Sequence, residues 1–188
     1  MRPRPISVLL LATLPALPAA SVAAQAVSPA DVHFMSGMIY HHAQAVTMAG
    51  WAPGHGASHT IQMLAERIVV SQNDEIAMIQ QWLRDRHQEV PDPAMHPMAM
   101  MMPGMLSPAQ LAQLDSARGP EFDHRFLTFM ILHHQGAITM VKELLATPGA
   151  AQDGQVFRFS ADVNADQAAE IGRMQNLLNS FPTGGKNP

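Results

Sequence analysis

Two pairs of adjacent histidines are the residues of this chain best placed to do chemistry. His41-His42 and His133-His134 each have a methionine three residues ahead of the first ring (Met38, Met130) and another seven residues beyond it (Met48, Met140). On a helix those thioethers lie roughly one turn below and two turns above the imidazole. Imidazole is a borderline ligand and thioether a soft one, a combination suited to copper, and to Cu(I) in particular. A denser concentration occupies residues 91–106, where Met95, His96, Met98, Met100, Met101, Met102 and Met105 are crowded among Pro91, Pro93, Pro97 and Pro103. Four prolines exclude a regular helix there, so packing of a helical face does not account for the methionines. Thioether sulfur binds Cu(I) without losing a proton, so such a segment holds the ion even in acid. The same composition also suits an apolar lid over the fold, or an oxidisable sink through sulfoxide formation.

The histidines face polar company. Gln72, Glu75, Gln167 and Glu170 fall on the same helical seams as neighbouring apolar residues, and a buried carboxylate or amide needs a partner that imidazole can supply. Two readings follow and are compatible. Either His and Glu/Gln satisfy one another while the methionines pack as adaptable core, or imidazole and thioether bind a metal while Glu75 and Glu170 orient the rings from behind. His55 and His59, in Gly54-His55-Gly56-Ala57-Ser58-His59, form a smaller cluster with no third ligand, and are read as surface-loop residues.

The elements that must carry these residues come from a duplication. Displaced by 92 residues, Asp31 to Met48 overlies Asp123 to Met140, with the Asp, Phe, Met, Ile, His-His, Ala, Thr and final Met shared; displaced by 95, Gln72 to Leu83 overlies Gln167 to Leu178. The period inside each segment is helical. Phe34, Met38, His41, Ala45 and Met48 step by 4, 3, 4 and 3, as do Phe126, Met130, His133, Ala137 and Met140. Ile68, Gln72, Glu75, Ile79, Trp82 and Val163, Gln167, Glu170, Met174, Leu177 follow suit. Ser28-Pro29-Ala30-Asp31 reads as a helix start with an acidic third position, Ser58 caps a second helix, and Ser107-Pro108-Ala109-Gln110 opens a short one that stops at Gly119. Further helices span about 121–146 and about 154–180, the former closed by Thr147-Pro148-Gly149. The expected fold is all-α: an antiparallel four-helix bundle built from two helical hairpins, at about 28–90 and 120–181, joined by the Met-rich connector 91–106 and a short helix over 107–118.

Composition narrows the rest. The chain has 188 residues and no Cys, which rules out disulfides, thiolate metal sites and thiol catalysis. Lys plus Arg (11) falls short of Asp plus Glu (15), so a nucleic-acid partner is not expected. Arg2 and Arg4, the apolar run from Ile6 to Leu17 and the small residues of Ala24-Gln25-Ala26 read as a secretory signal cleaved after Ala26. No Cys follows to carry a lipid, no later stretch is apolar enough for a membrane anchor, and residues 27–188 form a single domain outside the cytoplasm, periplasmic or secreted. A di-iron carboxylate site needs Glu-x-x-His on two helices, and only Glu121-Phe122-Asp123-His124 fits. No phosphate loop, nucleophile elbow or metalloprotease motif is present, so neither an organic cofactor nor an enzymatic activity is expected.

The doubled Phe-x3-Met-Ile-x-His-His-x2-Ala pattern, followed by Gln-x-x-Glu-Ile-x6-Leu, resembles the exported "domain of unknown function" family DUF305 over about residues 28–181. That resemblance implies a ferritin-like bundle and extracytoplasmic handling of Cu(I) or Ag(I). Its motif falls on Met38, His41, His42, Met48, Met130, His133, His134 and Met140; Ile79 stands where the second half has Met174, so one thioether is missing from the first hairpin. The resulting reading is a copper-binding protein that sequesters Cu(I) or passes it to a copper export or delivery protein. The alternative is an interaction module that docks a partner through the Met-rich loop. If the connector captures the ion, replacing its six methionines by Leu preserves folding and weakens Cu(I) binding in a chelator competition; unchanged affinity removes the connector from the mechanism.

Overall fold

The structure, a computed structural model, describes residues 27–92 and 101–181. The expected signal segment 1–26 and the connector residues Met95, His96, Met98 and Met100 lie outside the described residues. Five helices follow in order: α1 (Pro29–Gly50), α2 (His59–Asp85), α3 (Pro108–Ser116), α4 (Pro120–Ala146) and α5 (Gly154–Ser180). No strand occurs among the described residues. The helices therefore stand close to where the apolar spacing put them, α3 being shorter at both ends than the expected 107–118.

Local chemistry explains most of the ends. Pro29, Pro108 and Pro120 open their helices at the position where a missing N–H costs nothing. Ser28 accepts a hydrogen bond from the Ala30 N–H, and Asp153 accepts from the Gln155 and Val156 N–H groups at the start of α5. Ser107 and Gln110 form a reciprocal capping box. Ser58 departs from expectation: it stands at the N-cap of α2, yet its hydroxyl makes no capping bond.

α1 packs mainly on α2, α4 on α5, and the two pairs meet along α1 and α4. The apolar interior is divided. One cluster gathers Ala45, Met48 and Ala49 of α1, Ile61 to Ile68 of α2, Phe122 to Met130 of α4 and Met174 of α5. The other gathers Phe34 to Ile39, Ile79 to Leu83, Ala137 to Leu144 and Val156 to Val163. Each of the four long helices thus contributes one apolar block above and one below a short polar interval, which holds His41 and His42 on α1, Gln72 and Glu75 on α2, His133 and His134 on α4, and Gln167 and Glu170 on α5.

The duplicated aspartates hold the halves together in a way that helix-end logic does not suggest. Asp31 is buried, and its carboxylate accepts a 2.7 Å hydrogen bond from the Ala151 N–H in the turn between α4 and α5. Its counterpart Asp123 accepts from the Ser58 N–H at 3.1 and 3.2 Å, in the loop between α1 and α2. Each half therefore ties down the loop of the other. Ala151 needs that tie, because its φ of +54° lies in the left-handed region that a Cβ disfavours. Asp31→Ala is expected to lower stability by about 1–3 kcal/mol, the cost of stranding a buried donor. Urea denaturation checks this as a lower midpoint at unchanged slope; an unaltered midpoint would show that the turn holds itself.

Candidate metal centre

The polar layer is where the His-His pairs meet. All four rings are fully buried. His41 and His133 are the inner pair, with ring centroids 3.8 Å apart across the α1–α4 seam. His42 and His134 are the outer pair, each turned toward the carboxylate of its own hairpin. The His134 Nε2–H donates to Glu170 Oε2 at 2.7 Å, and His42 Nε2 lies 2.5 Å from Glu75 Oε2, a contact without hydrogen-bond alignment. Both glutamates are only partly exposed, so these contacts are poorly screened. Gln72 and Gln167 are buried in the same layer, but neither side-chain oxygen has a partner. The expected His–Gln pairing therefore does not form; glutamate is the side chain that meets the outer rings, and much of the layer keeps unpartnered polar atoms.

The inner pair is covered by the end of the Met-rich connector. His41 Nε2–H donates to the Pro103 carbonyl at 3.1 Å. Gln44 grips the next stretch with both ends of its amide, donating to the Leu106 carbonyl at 3.1 Å and accepting from the Leu106 N–H at 2.8 Å. On the opposite helix the strap touches backbone directly. A Cβ built on Gly136 would lie 2.1 Å from the Pro103 carbonyl oxygen, a distance no side chain tolerates. Gln44 and Gly136 occupy equivalent positions of the duplication, displaced by 92 residues. One half supplies the hand that holds the strap and the other the gap that admits it. Neither was singled out from the sequence, although a Gln/Gly mismatch two residues after the matched His-His pairs was the available signal.

These contacts determine which nitrogen carries the proton. Because Pro103 and Glu170 accept from Nε2 of His41 and His134, the Nδ1 atoms of those rings present lone pairs. Both Nδ1 atoms are buried without a partner, as are Nδ1 of His42 and both ring nitrogens of His133. A ring held by one nitrogen with the other left as a donor pair is the usual arrangement of a metal-binding imidazole. Sulfur lies to either side. Met48 and Met130 share one apolar cluster, and Met38 and Met140 share the other. Met38, Met48 and Met130 are fully buried, whereas Met140 retains slight exposure. Among the described residues no three His, Asp or Glu side chains gather as a ready-made metal site, so thioether is the complement the imidazoles have at hand.

Connector residues divide. Met102 packs on the cluster that contains Met38 and Met140, Met105 is half-buried, and Met101 stands 84% exposed. His59 is exposed, as the sequence reading placed it. His55 is not: it is buried, and its Nδ1 faces the Trp51 carbonyl at 2.8 Å. Its Nε2 faces the Asp115 carbonyl at 2.8 Å and the Asp115 carboxylate at 2.9 Å. The surface-loop assignment of His55 is thereby corrected; the ring staples the α1–α2 loop to the end of α3, contacts that the local Gly-His-Gly pattern does not reveal.

Burial also sets the charge of the inner rings. It is the main reason His41 is pushed down to about 3; neighbouring His42 acts in the same direction, and the bond to Pro103 opposes both. Burial, followed by the proximity of His41, holds His133 well below the usual histidine range. Glu170 behaves in the opposite sense: burial alone would raise it, but the His134 hydrogen bond and nearby cations hold its carboxyl below the ordinary value.

Comparison with known proteins places these features in context. A family model described as "Domain of unknown function (DUF305)" matches residues 31–178. A DUF305 fragment from Deinococcus radiodurans is 29% identical, with a TM-score of 0.72 over 81% of this chain and 97% of that one. A DUF305 protein from Streptomyces coelicolor, described as a candidate secreted protein, is 27% identical, with a TM-score of 0.71 over 80% of this chain and 92% of its own. CopM in its Cu(I)-bound form is 26% identical, with a TM-score of 0.64 over 81% of this chain and 97% of that one. CopM has also been solved in Cu(II)-bound and Ag-bound forms. No curated protein sequence matches.

The inner histidines give the layer a pH signature. Below about pH 6.5 the unfolded chain protonates these two residues while the folded protein keeps them neutral, to about pH 3 for His41. Their contribution to stability is therefore complete above pH 6.5 and lost as pH falls, by about 1.4 kcal/mol per pH unit for each ring. Unfolding midpoints measured from pH 7 to 4 should fall more steeply for the natural protein than for a His41→Leu/His133→Leu variant. Equal slopes would mean that the rings take up protons without unfolding.

Proposed function

The chain belongs to the DUF305 family, and from that premise we propose that it is a periplasmic or secreted metal-binding protein that sequesters or relays Cu(I), with Ag(I) as an alternative cargo, and catalyses no reaction. One observation carries this reading: four fully buried imidazoles with unpartnered nitrogens lie between buried thioethers. Neutral imidazole and thioether are the forms that bind Cu(I), and neither must release a proton on binding. In this reading Met38, His41, His42, Met48, Met130, His133, His134 and Met140 supply the interior ligands, and Glu75 and Glu170 orient the outer rings. The connector residues Met95, His96, Met98, Met100, Met101, Met102 and Met105 capture the ion. CopM, similar over most of this chain, has been solved with both Cu(I) and Ag, which supports the choice of cargo.

The rest of the reading concerns form and location. We take residues 27–188 as one duplicated domain, an antiparallel four-helix bundle of the ferritin-like kind, released by cleavage near Ala26. Outside the cytoplasm the ion would pass to a copper export or delivery protein. The 84% exposure of Met101 favours one alternative, a docking module whose Met-rich loop engages a partner without metal.

A Cu(I) titration against a chromophoric chelator under reducing conditions separates the two. A variant with His41, His42, His133 and His134 changed to Leu keeps the core volume and is checked for folding by circular dichroism. Binding that weakens about tenfold or more, equivalent to about 1.4 kcal/mol, is the expected result. Unchanged affinity returns the four rings to structural duty, and no binding by the natural protein favours the docking module.

A further inference from the structure

We propose that the open groove between α1 and α4 is a surface site for Cu(I), with His33, Met102 and Met140 as its ligands; this rests on the copper reading above. The groove has a volume of about 150 Å³ and is lined by His33 and Gly37 of α1, Met102 and Pro103 of the strap, and Met140 and Glu143 of α4. His33 is exposed, Met102 half-buried and Met140 slightly exposed, so all three reach solvent, unlike the wholly buried Met38, Met48 and Met130.

Gly37 shows how close the two sulfur side chains come. A Cβ built there would meet Met140 Cε at 3.2 Å and Met102 Sδ at 3.3 Å. Two thioethers, from a helix and from the strap, therefore converge over the one residue that leaves room for both. The duplication shows that this room is specific to one side. At the positions equivalent by the 92-residue displacement, Gly37 becomes Phe129, His33 becomes Arg125, and Glu143 corresponds to Trp51. Phe129 and Trp51 pack against the apolar cluster, and Met48, the counterpart of Met140, is fully buried. The depression on that side is lined by Gln113, Glu121, His124, Arg125, Thr128 and Phe129 and has no thioether, so it lacks the sulfur donors of this one.

The donor set matches a soft monovalent cation. Two thioethers and one imidazole are neutral and hold Cu(I) through sulfur and nitrogen, whereas Mg²⁺ and Ca²⁺ demand oxygen. The Glu143 carboxylate at the rim offsets the charge of the ion. Pro103 lines the groove and also accepts the His41 hydrogen bond, so the site lies one carbonyl away from the buried imidazoles.

Three variants test the site: Met102→Leu/Met140→Leu, which is nearly isosteric; His33→Ala, on an exposed face; and Gly37→Phe, which sets a ring where the two sulfur side chains approach. Cu(I) competition titrations on the purified protein should show that the first two, folded by circular dichroism, each lose one equivalent of Cu(I) or bind it about tenfold or more weakly. Ag(I), used as a diamagnetic probe, should shift the Met102 and Met140 ε-methyl NMR signals before those of Met38, Met48 and Met130. If the natural protein binds Cu(I) and His33→Ala matches it in stoichiometry and affinity, the groove is not a site, whatever the double Leu variant does, because Met102 and Met140 also belong to the connector and interior sets whereas His33 belongs to neither. If the natural protein binds no Cu(I), both proposals fall together. Because the double Leu variant and the NMR experiment do not depend on the Gly37→Phe chain folding, its loss would leave the test intact.

Discussion

Four imidazoles removed from water form a polar layer that cuts the apolar interior into two blocks, and the rest of the molecule is arranged around keeping that layer supplied. Burying so many polar groups is costly unless each is matched. Each helix must therefore present its polar interval at the same height, His on α1 and α4 opposite Gln and Glu on α2 and α5. A slip of one turn would set a carboxylate against aliphatic side chains, so the layer defines the register of the helices more sharply than apolar packing could. It does so incompletely: the glutamates approach the outer rings, yet all four rings and both glutamines keep unpartnered atoms.

The duplication produces the symmetry of the layer, and departures from it produce the places where the outside world can reach it. Asp31 and Asp123 are used symmetrically, each fastening the loop of the opposite half. The connector has no such twin. Its last residues, 103–106, lie over the α1–α4 seam because Gln44 binds the Leu106 backbone and Gly136 makes room for Pro103 and Gly104, two different answers at one repeated position. Gly37 and Phe129 diverge in the same sense, one leaving room for two thioether side chains and the other placing a ring there. A strap that meets the two matching motifs unequally is met by different residues at equivalent positions.

Charge follows from this geometry. Pressing His41 and His133 together in a dry interior keeps both neutral well into acid, and the neutral ring is the form that donates a lone pair to a metal. The flanking thioethers require no deprotonation at all. Glu170, held below the ordinary carboxyl range, fixes the proton on Nε2 of His134, which leaves the Nδ1 lone pair free. Rigid helices rather than loops carry all of these groups except those of the strap, so a bound ion would meet ligands already held in place.

The helices, the two matching sets of motifs and the faces on which chemistry would sit are legible in the amino-acid pattern. The 4,3 spacing of Phe34, Met38, His41, Ala45 and Met48 reports one face of one helix, and all five are buried. Periodicity speaks about a face and says nothing about which residue meets it. For that reason the difference between inner and outer histidines, Glu rather than Gln as their partner, and the burial of His55 under Asp115 became visible only in three dimensions. The aspartate ties were hidden in the same way: Asp31 looks like an ordinary acidic residue at a helix start, but its hydrogen bond is made to Ala151, 120 positions away. Local pattern specified the elements because helix formation is a local event; tertiary structure alone decided the site, because its contacts join residues that the chain separates.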